Sequence, residues 1–481
     1  MSEPLKYPNN EFATQSRRPK LLTVDDAKKL NLDEVQRYFM QNMNAGQMHF
    51  LKLLGFANVL IDRAEGMYYY TRDGRAILDC FGGFGSLACG HNHPRILAAR
   101  KAFQDEKRHE IAMAFLSQYS TSLSHNLAEI APEGMDVVFL TNCGSVANEA
   151  ALKLAQRYQE PNRRKIAYVT NSFHGKTRGA LSVTDSVMYR ADFPLLQDSV
   201  VVPFGDVRAL DQAFAADPAI GVFILETVQG GAGIVLPPDG YIEAVREICD
   251  RRKVVWIADE VQCGYGRTGR FFAFEHFGVS PDIITLAKSL GGGKTAIGAY
   301  ICRNAIHKKA YGDPKHALIH GPATFSGMGE ACITAIESLN VLYDEKLIEN
   351  SAQTGSYFLE RLQGLQKKFP TLIKEVRGKG LMIGVEFADF SQTLPAGLRQ
   401  MVALLDDKLK GSICGFIGSL LLRDYNILVA FTEYNRNVVR LEPPLIMNRE
   451  NVDQVIDALD SLLSRGITGI VTSFLKSKMK K

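Results

Sequence analysis

The chain has 481 residues, too many for one simple domain, so two or three domains are expected. Hydrophobic residues make up 46% and charged residues 22%, ordinary for a soluble globular enzyme, and a net charge of +4 is too small for this length to argue for nucleic acid. Eight cysteines (80, 89, 143, 249, 263, 302, 332 and 414) show no CxxC and no metal-like Cys/His spacing, which points to free thiols in a reducing compartment; no run approaches a membrane span, which leaves the cytoplasm as the default.

Residues Met1 to about Lys20 read as a loose polar arm without the apolar region of a signal segment. Asp33–Met43 and His49–Ala57 follow as candidate helices. Met67–Tyr70 and Ala76–Cys80 read as strands joined through Arg72-Asp73-Gly74-Arg75, because Asp-Gly is a strong hairpin signal. The glycine-rich stretch Cys80–Pro94 contains His91 and His93; with no third ligand nearby, a tight backbone passage is favoured over a metal site. From Asp136 the pattern alternates. Asp136–Leu140, Lys165–Val169, Ile220–Leu225, Val254–Ala258, Ile283–Leu286 and Gly298–Cys302 read as strands, with another extended run over Leu195–Val202. Val146–Tyr158, Val207–Ala215 and Gly240–Arg252 read as helices. This βαβα rhythm, from about Phe81 to Tyr343, predicts a mostly parallel sheet covered by helices. A helical stretch then runs from Gly329 into the 360s. Leu372–Val376, Leu381–Phe387, Ile427–Val429 and Val438–Leu441 read as strands mixed with helices such as Val452–Leu463, which predicts a smaller α+β domain. The end, LKSKMKK, is basic and expected to be solvated, with weak membrane association of Ile467–Lys481 as the rival reading.

Two of the strands end in charge. Val254–Ala258 stops at Asp259-Glu260, and Ile283–Leu286 stops at Ala287-Lys288, with glycines at 291–293. In open α/β sheets ligands bind beyond the carboxyl ends of the strands. A carboxylate and an amine placed there predict a pyridoxal phosphate site, with Lys288 forming the Schiff base and Asp259 keeping the pyridine nitrogen protonated. The plainer readings are a snorkelling lysine and a strand-end aspartate capping a loop. Thr141-Asn142-Cys143-Gly144-Ser145, between a strand and a helix, offers N–H groups and a helix dipole to an anion, or is an ordinary N-cap. Phe173, in Ser172-Phe173-His174-Gly175 at a strand end, would stack on a planar ring or sit in the core. Val261 would lie against the opposite ring face and Gln262 would donate to the phenolic oxygen. Arg440, alone in the apolar run Val438–Leu441, would take a carboxylate bidentately or form a structural ion pair.

Together these motifs resemble the class III, or ω-amino, aminotransferases of pyridoxal phosphate fold type I. The resemblance covers about Arg63 to Asp457 and rests above all on IADEVQCGYGRTGRFFAFEHFGVSPDIITLAKSLGGG. NCGSVANEAALKLA, FHGKTRGALS, ETVQGGAG, HGPATFSG, VRGKGLMIGVEF and VVRLEPPL support it. DCFGGFG, FHGKTRGALS and VRLEPPL look most similar to putrescine aminotransferases. The resemblance implies that Lys288 is the Schiff-base lysine and proton shuttle. It puts Gly144 and Ser145 at the phosphate, Phe173 and Val261 on the ring faces, Asp259 at the ring nitrogen and Gln262 at the ring hydroxyl, with His174 and Glu226 also among the cofactor-binding residues. Thr324 would reach the phosphate of the neighbouring subunit, so the site would span the interface of a homodimer or dimer of dimers. Arg440 and Gly231 would meet the substrates.

The implied fold is α/β, a large mostly parallel sheet domain with a smaller α+β domain built from both chain ends. The expected division is 1–80 for the arm and part of the small domain, 81–343 for the large cofactor domain, 344–465 for the rest of the small domain and 466–481 for a basic tail. The implied reaction moves the terminal amine of a diamine or ω-amino compound to 2-oxoglutarate or pyruvate, giving an aldehyde and an amino acid. Two alternatives stay open: an aminotransferase for a long-chain or polyketide-derived aldehyde or amine in secondary metabolism, and an aminomutase of the same fold.

The chain departs from the family pattern in four places. Gln229-Gly230-Gly231 stands where the family often reads QGE, so the glutamate that would pair with Arg440 is missing. An unpaired buried arginine is costly; another acid, water or a moved side chain is expected to compensate, and a larger or more apolar amine would fit the opened space. Val146 replaces the usual glutamate two positions after the phosphate glycine. Gly293–Gly298 is one residue longer than the common pattern, which puts Lys294 at the substrate or on a surface loop. HGPATF is also one residue longer, which bears on the position of Thr324.

Overall fold

The computed structural model describes residues 21–111, 115–196, 198–319, 324–389, 394–398, 400, 414–432 and 434–479, so the expected N-terminal arm lies outside the described residues. Of the described residues, those from 21 to 60 form one compact unit and those from Ile61 onward a second. In the first, helices Val24–Lys29 and Leu32–Phe39 each open in a capping box, Thr23 with Asp26 and Asn31 with Glu34. A π-helical turn over Met40–Asn44 leads into Ala45–Leu54, which stops at Gly55 with φ 87°.

In the second unit, β1 (Ile61–Glu65), β2 (Tyr68–Thr71) and β3 (Ala76–Asp79) form an antiparallel ribbon, with Gly74 at φ 86° in the expected Asp-Gly turn. The central sheet contains β4 (Val137–Thr141), β5 (Lys165–Val169), β6 (Ser199–Val202), β7 (Ile220–Glu226), β8 (Val255–Asp259), β9 (Ile283–Leu286) and β10 (Gly298–Cys302), in the order β4-β10-β9-β8-β7-β5-β6. β10 runs antiparallel to both of its neighbours and every other pairing in this sheet is parallel. A further sheet pairs β11 (Ile373–Lys379), β12 (Met382–Phe387), β15 (Val438–Leu441) and β14 (Ala430–Phe431), while β13 (Ile427–Leu428) joins β3 in parallel.

The central strands read as continuous apolar runs because both faces are covered. Every residue of β7, β8 and β9 is buried. Ala150, Ala151 and Leu154 of the helix Gly144–Tyr158 pack into one core with Val222, Ile224, Val255, Ile257 and Ile283. The long helical stretch after Gly329 is two helices, Gly329–Asp344 and Leu347–Lys368, broken at Lys346 with φ 53°.

The glycine-rich stretch is a close backbone passage: a Cβ on Gly90 would stand 2.9 Å from the Gly66 carbonyl oxygen. Its histidines bind carboxylates, His91 at 2.9 Å from Asp79 and His93 at 3.0 Å from Glu345. The end of the chain corrects the expectation of a solvated tail. Gly466–Met479 is a helix, and Ile470, Val471 and Phe474 are fully buried, with the Phe474 ring 4.6 Å from that of Phe416. Lys476 stays in solvent. The apolar residues that a membrane reading would use are already packed inside. Among the described residues no helix is long and apolar enough to cross a membrane.

Candidate active site

β7, β8 and β9 end side by side. Their register sets Glu226 opposite Asp259 and Asp259 opposite Thr285, and Lys288 follows two residues beyond β9. Glu226, Asp259 and Lys288 line one cavity of about 640 Å³, together with Gly144, Ser145, Asn148, Phe173, His174, Val261 and Gln262. Nine of the expected site residues line this one space; Gly231, Thr324 and Arg440 are not in its wall.

Lys288 opens a 3-10 turn with φ 48°, a left-handed backbone that non-glycine residues seldom adopt. The chain then passes close to its neighbours, since a Cβ on Gly293 would stand 2.4 Å from Leu87 Cδ2. Burial lowers the Lys288 ammonium below its ordinary range, against the upward pull of Glu442, Asp259 and Glu226. An amine so placed gives up its proton more readily than one in water.

Asp259 is buried and both of its oxygens accept hydrogen bonds. Oδ2 accepts from Asn148 Nδ2 and meets His174 Nδ1, both at 2.7 Å; Oδ1 accepts from the Val261 N–H at 3.0 Å and lies 3.4 Å from Thr285 Oγ1, whose proton goes to Asn148 Oδ1 at 2.7 Å. Burial acts to raise this carboxyl, but His174, the Val261 N–H and Asn148 outweigh it and hold it below its ordinary value. With Asp259 ionised, Nδ1 of His174 carries the proton. Asn148 and Thr285 escaped the sequence reading. The signal for Asn148 was a lone amide on an alanine-rich helical face, four residues after Gly144.

At the other end of the cavity, the 15-residue helix from Gly144 begins without a side-chain cap and without an acid in its first turn. Val146, in place of the usual glutamate, therefore leaves the terminal N–H groups to an anion. A Cβ on Gly144 would stand 2.9 Å from Val261 Cγ1, so this wall tolerates nothing larger than glycine. Ser145 Oγ accepts from the Lys176 N–H at 3.4 Å.

Glu226 does not replace the missing acid. Its oxygens accept from the N–H groups of Phe173 at 2.9 Å and Gly230 at 3.1 Å, and burial pushes its carboxyl up to about 7. Arg440 is held instead by carbonyls: Nη2 and Nε donate to Phe431 O at 2.8 and 3.2 Å, and Nη1 donates to Gly230 O at 3.2 Å. Nη1 also lies 3.5 Å from Glu442 Oε2, and the guanidinium sits 4.9 Å from the Phe84 ring. Glu442, unnoticed in the sequence, is fully buried and accepts from Gln262 Nε2 at 2.6 Å. In this arrangement the Gln262 amide is committed to Glu442. The space beside Gly231 is not open, which corrects the expectation of extra room: Tyr434 Cε2 and Phe173 Cβ each stand 3.4 Å from where a Cβ would be, and the Tyr434 hydroxyl donates to Ser172 O at 2.9 Å. Lys294 lines the cavity and its amine bonds to Asn92. Thr324 is exposed. The start of its motif, residues 320–323, lies outside the described residues.

Glu260, next to Asp259, is buried with Oε1 accepting from Thr227 Oγ1 at 2.6 Å and Oε2 from the Ala273 N–H at 2.7 Å; burial pushes its carboxyl up to about 7. A carboxyl with a raised folded-state pKa favours folding below its unfolded value of about 4.5 and loses that contribution as pH rises to about 7. Glu260→Gln keeps both hydrogen bonds, because the Thr227 hydroxyl can accept instead of donate. The melting temperature of the variant relative to the parent is expected to climb between about pH 5 and pH 7 and then level off; a difference independent of pH refutes this.

A model of the family described as "Aminotransferase class-III" matches residues 55–463. The chain belongs to the class III aminotransferases. It is 34% identical over 467 residues to "Aminotransferase PigE" of Serratia sp. (strain ATCC 39006), covering 91% of this chain and 54% of that protein, so it spans about half the length of this curated relative. Among solved structures it is similar to the ornithine aminotransferase of Toxoplasma gondii ME49, with a TM-score of 0.76 and 28% identity over 97% of this chain and 100% of that one. It is also similar to an (S)-enantioselective omega-transaminase of Thermomicrobium roseum, with a TM-score of 0.79 and 26% identity over 93% and 99%. This aminotransferase is therefore an enzyme of fold type I and its cofactor is pyridoxal phosphate. The cavity fits that group: a buried carboxylate, an amine, a helix terminus free of acids and a wall that excludes a Cβ at Gly144 all meet in it. His174, which lines the cavity, has its Nε2 buried without a hydrogen-bond partner among the described residues.

Proposed function

We propose that this aminotransferase moves the terminal amine of a diamine or other ω-amino compound to a 2-oxo acid such as 2-oxoglutarate or pyruvate. The observation that carries the reading is the pairing of Lys288 and Asp259 at adjacent strand ends with a buried guanidinium, Arg440, supplied by another sheet. Bound in the cavity, pyridoxal phosphate supplies an aldehyde carbon that takes up the amine and a ring that draws electrons from the substrate carbon. Asp259, held low by His174, the Val261 N–H and Asn148, would keep a proton on the ring nitrogen. Phe173 and Val261 would hold the two faces of that ring, with His174, Glu226 and Gln262 in the same cavity wall. Gly144, Ser145 and the first N–H groups of their helix take the phosphate. With the cofactor bound, Nζ of Lys288 would be the base that takes the proton from the amine-bearing carbon and holds it for return, the role on which exchange of amine for carbonyl depends. Arg440 takes the carboxylate of the oxo acid bidentately. Free thiols at all eight cysteines fit the cytoplasm.

The test is a panel of amines added to the aldehyde form of the holoenzyme, read as conversion of the cofactor spectrum, followed by a panel of oxo acids in the reverse half. Putrescine or cadaverine should convert it and 2-oxoglutarate or pyruvate should restore it. A second reading, a long-chain aldehyde or amine, is favoured by an apolar hollow beside Phe173. That hollow has about 530 Å³ and is lined by Leu181, Met188, Tyr189, Phe193 and Pro194 with Lys176 and Arg178, and the Tyr189 ring lies 5.9 Å from that of Phe173. Conversion by long-chain amines alone replaces the first reading with the second.

The site is also proposed to be completed in a homodimer, with the exposed Thr324 of one protomer reaching the phosphate held by its partner. A hydrogen bond to a charged oxygen is worth about 1.5–3 kcal/mol. Thr324→Ala is therefore expected to weaken cofactor binding by about tenfold or more, read by titrating the apoenzyme with pyridoxal phosphate; unchanged affinity removes Thr324 from the site.

A further inference from the structure

Arg440 is almost fully buried, and its strong contacts are with neutral carbonyls. The carboxylate of Glu442, just past the end of the strand that carries Arg440, approaches only to 3.5 Å, and its Oε2 has no hydrogen-bond partner among the described residues. A buried carboxylate oxygen without a donor is a standing cost. The other oxygen, Oε1, is tied at 2.6 Å to Gln262, which lines the cavity. Glu442 is thus anchored towards the cavity wall and only loosely set against Arg440.

From this geometry we infer that Glu442 is a positioning residue that sets the balance between anionic and cationic substrates: it neutralises Arg440 while no carboxylate is bound and yields that contact when an oxo acid arrives. The inference rests on Arg440 being the carboxylate-binding residue. The loose contact makes the exchange inexpensive. An incoming carboxylate can take over Nη1 while Glu442 keeps Gln262 and stays near the buried Arg267, whose charge it also supports. When a diamine occupies the cavity, the Arg440–Glu442 pair presents no net charge to repel it.

Glu442→Gln keeps the shape and the acceptor for Gln262 but removes the charge. In the full-length holoenzyme the two half-reactions, with putrescine and with 2-oxoglutarate, are followed separately by the cofactor spectrum. The variant is expected to lower KM for 2-oxoglutarate and raise KM for putrescine, each by about tenfold, while kcat moves in the same direction in both halves because Glu442 also acts on Lys288. Equal losses in both halves, or no change in either KM, overturn the inference, because a merely structural role would not split the two substrates by charge. Arg440→Gln separates this from the underlying reading: if it leaves KM for 2-oxoglutarate unchanged, Arg440 is not the carboxylate site. If it raises that KM while Glu442→Gln produces no split, only the role of Glu442 fails. Should Glu442→Gln fail to accumulate, Glu442→Asp carries the test. It keeps the charge near Arg267 but withdraws it from Arg440, so the same split is expected at smaller size, and its absence overturns the inference.

Discussion

Lys288→Ala is expected to abolish transamination, lowering turnover by at least about four orders of magnitude. Two functions are lost together, the covalent hold on the cofactor and the base that moves the proton. The loss should not come from unfolding. Lys288 already carries the left-handed φ of 48°, and alanine bears the same Cβ in the same backbone, so no new strain is added. Removing a partly buried amine also removes a desolvated charge. The variant should therefore melt close to the parent and still bind pyridoxal phosphate, but borohydride should no longer fix the cofactor to the chain. Mass spectrometry of the reduced protein reads this directly. Covalent labelling that persists in Lys288→Ala places the reactive amine elsewhere.

Asp259→Asn is expected to cost about two to three orders of magnitude in turnover, and stability as well. The catalytic part follows from charge, since an amide cannot hold a proton on the ring nitrogen as a carboxylate does. The stability part follows from the census of donors. Both oxygens of Asp259 accept, so an NH₂ at either position faces donors: Asn148 and His174 on one side, the Val261 N–H on the other. One arm of the network is left unsatisfied, at about 1–3 kcal/mol. Measured by thermal melting and by the amine half-reaction, Asp259→Asn should thus be both slower and less stable, whereas Lys288→Ala should be slower only. Full activity in Asp259→Asn would remove the ring-nitrogen role from Asp259.

The parts of this molecule legible in the sequence are those written locally. The apolar runs ending at Asp259 and Leu286 became β8 and β9 within a residue of their expected limits, and charge at a strand end was enough to find Asp259 and Lys288. What stayed hidden depends on register and on distant segments. Thr285 became a partner of Asp259 only because β8 and β9 pair with those two residues opposite each other. Glu442 and Tyr434 are separated by some two hundred residues from Gln262 and Gly231, and nothing local says that they meet. The gap at Gly231 was visible as a missing side chain, but its filling by Tyr434 was not. The last helix was misread for a different reason: its basic ending drew attention away from Ile470, Val471, Phe474 and Leu475, whose spacing matches one helical face.

The division of labour between the two sheets has a bearing on how such an enzyme changes over time. Glu226, Asp259 and Lys288 are delivered by three neighbouring strands of the central sheet, whereas Phe431, Thr432, Tyr434, Arg440 and Glu442 come from the short β14–β15 hairpin and its connection. Mutations that retune the hairpin leave the register of the chemical groups untouched. A directed-evolution library confined to positions 431–442 would therefore sample new amines on an unchanged catalytic chassis, and duplicated copies of the gene could diverge along the same route.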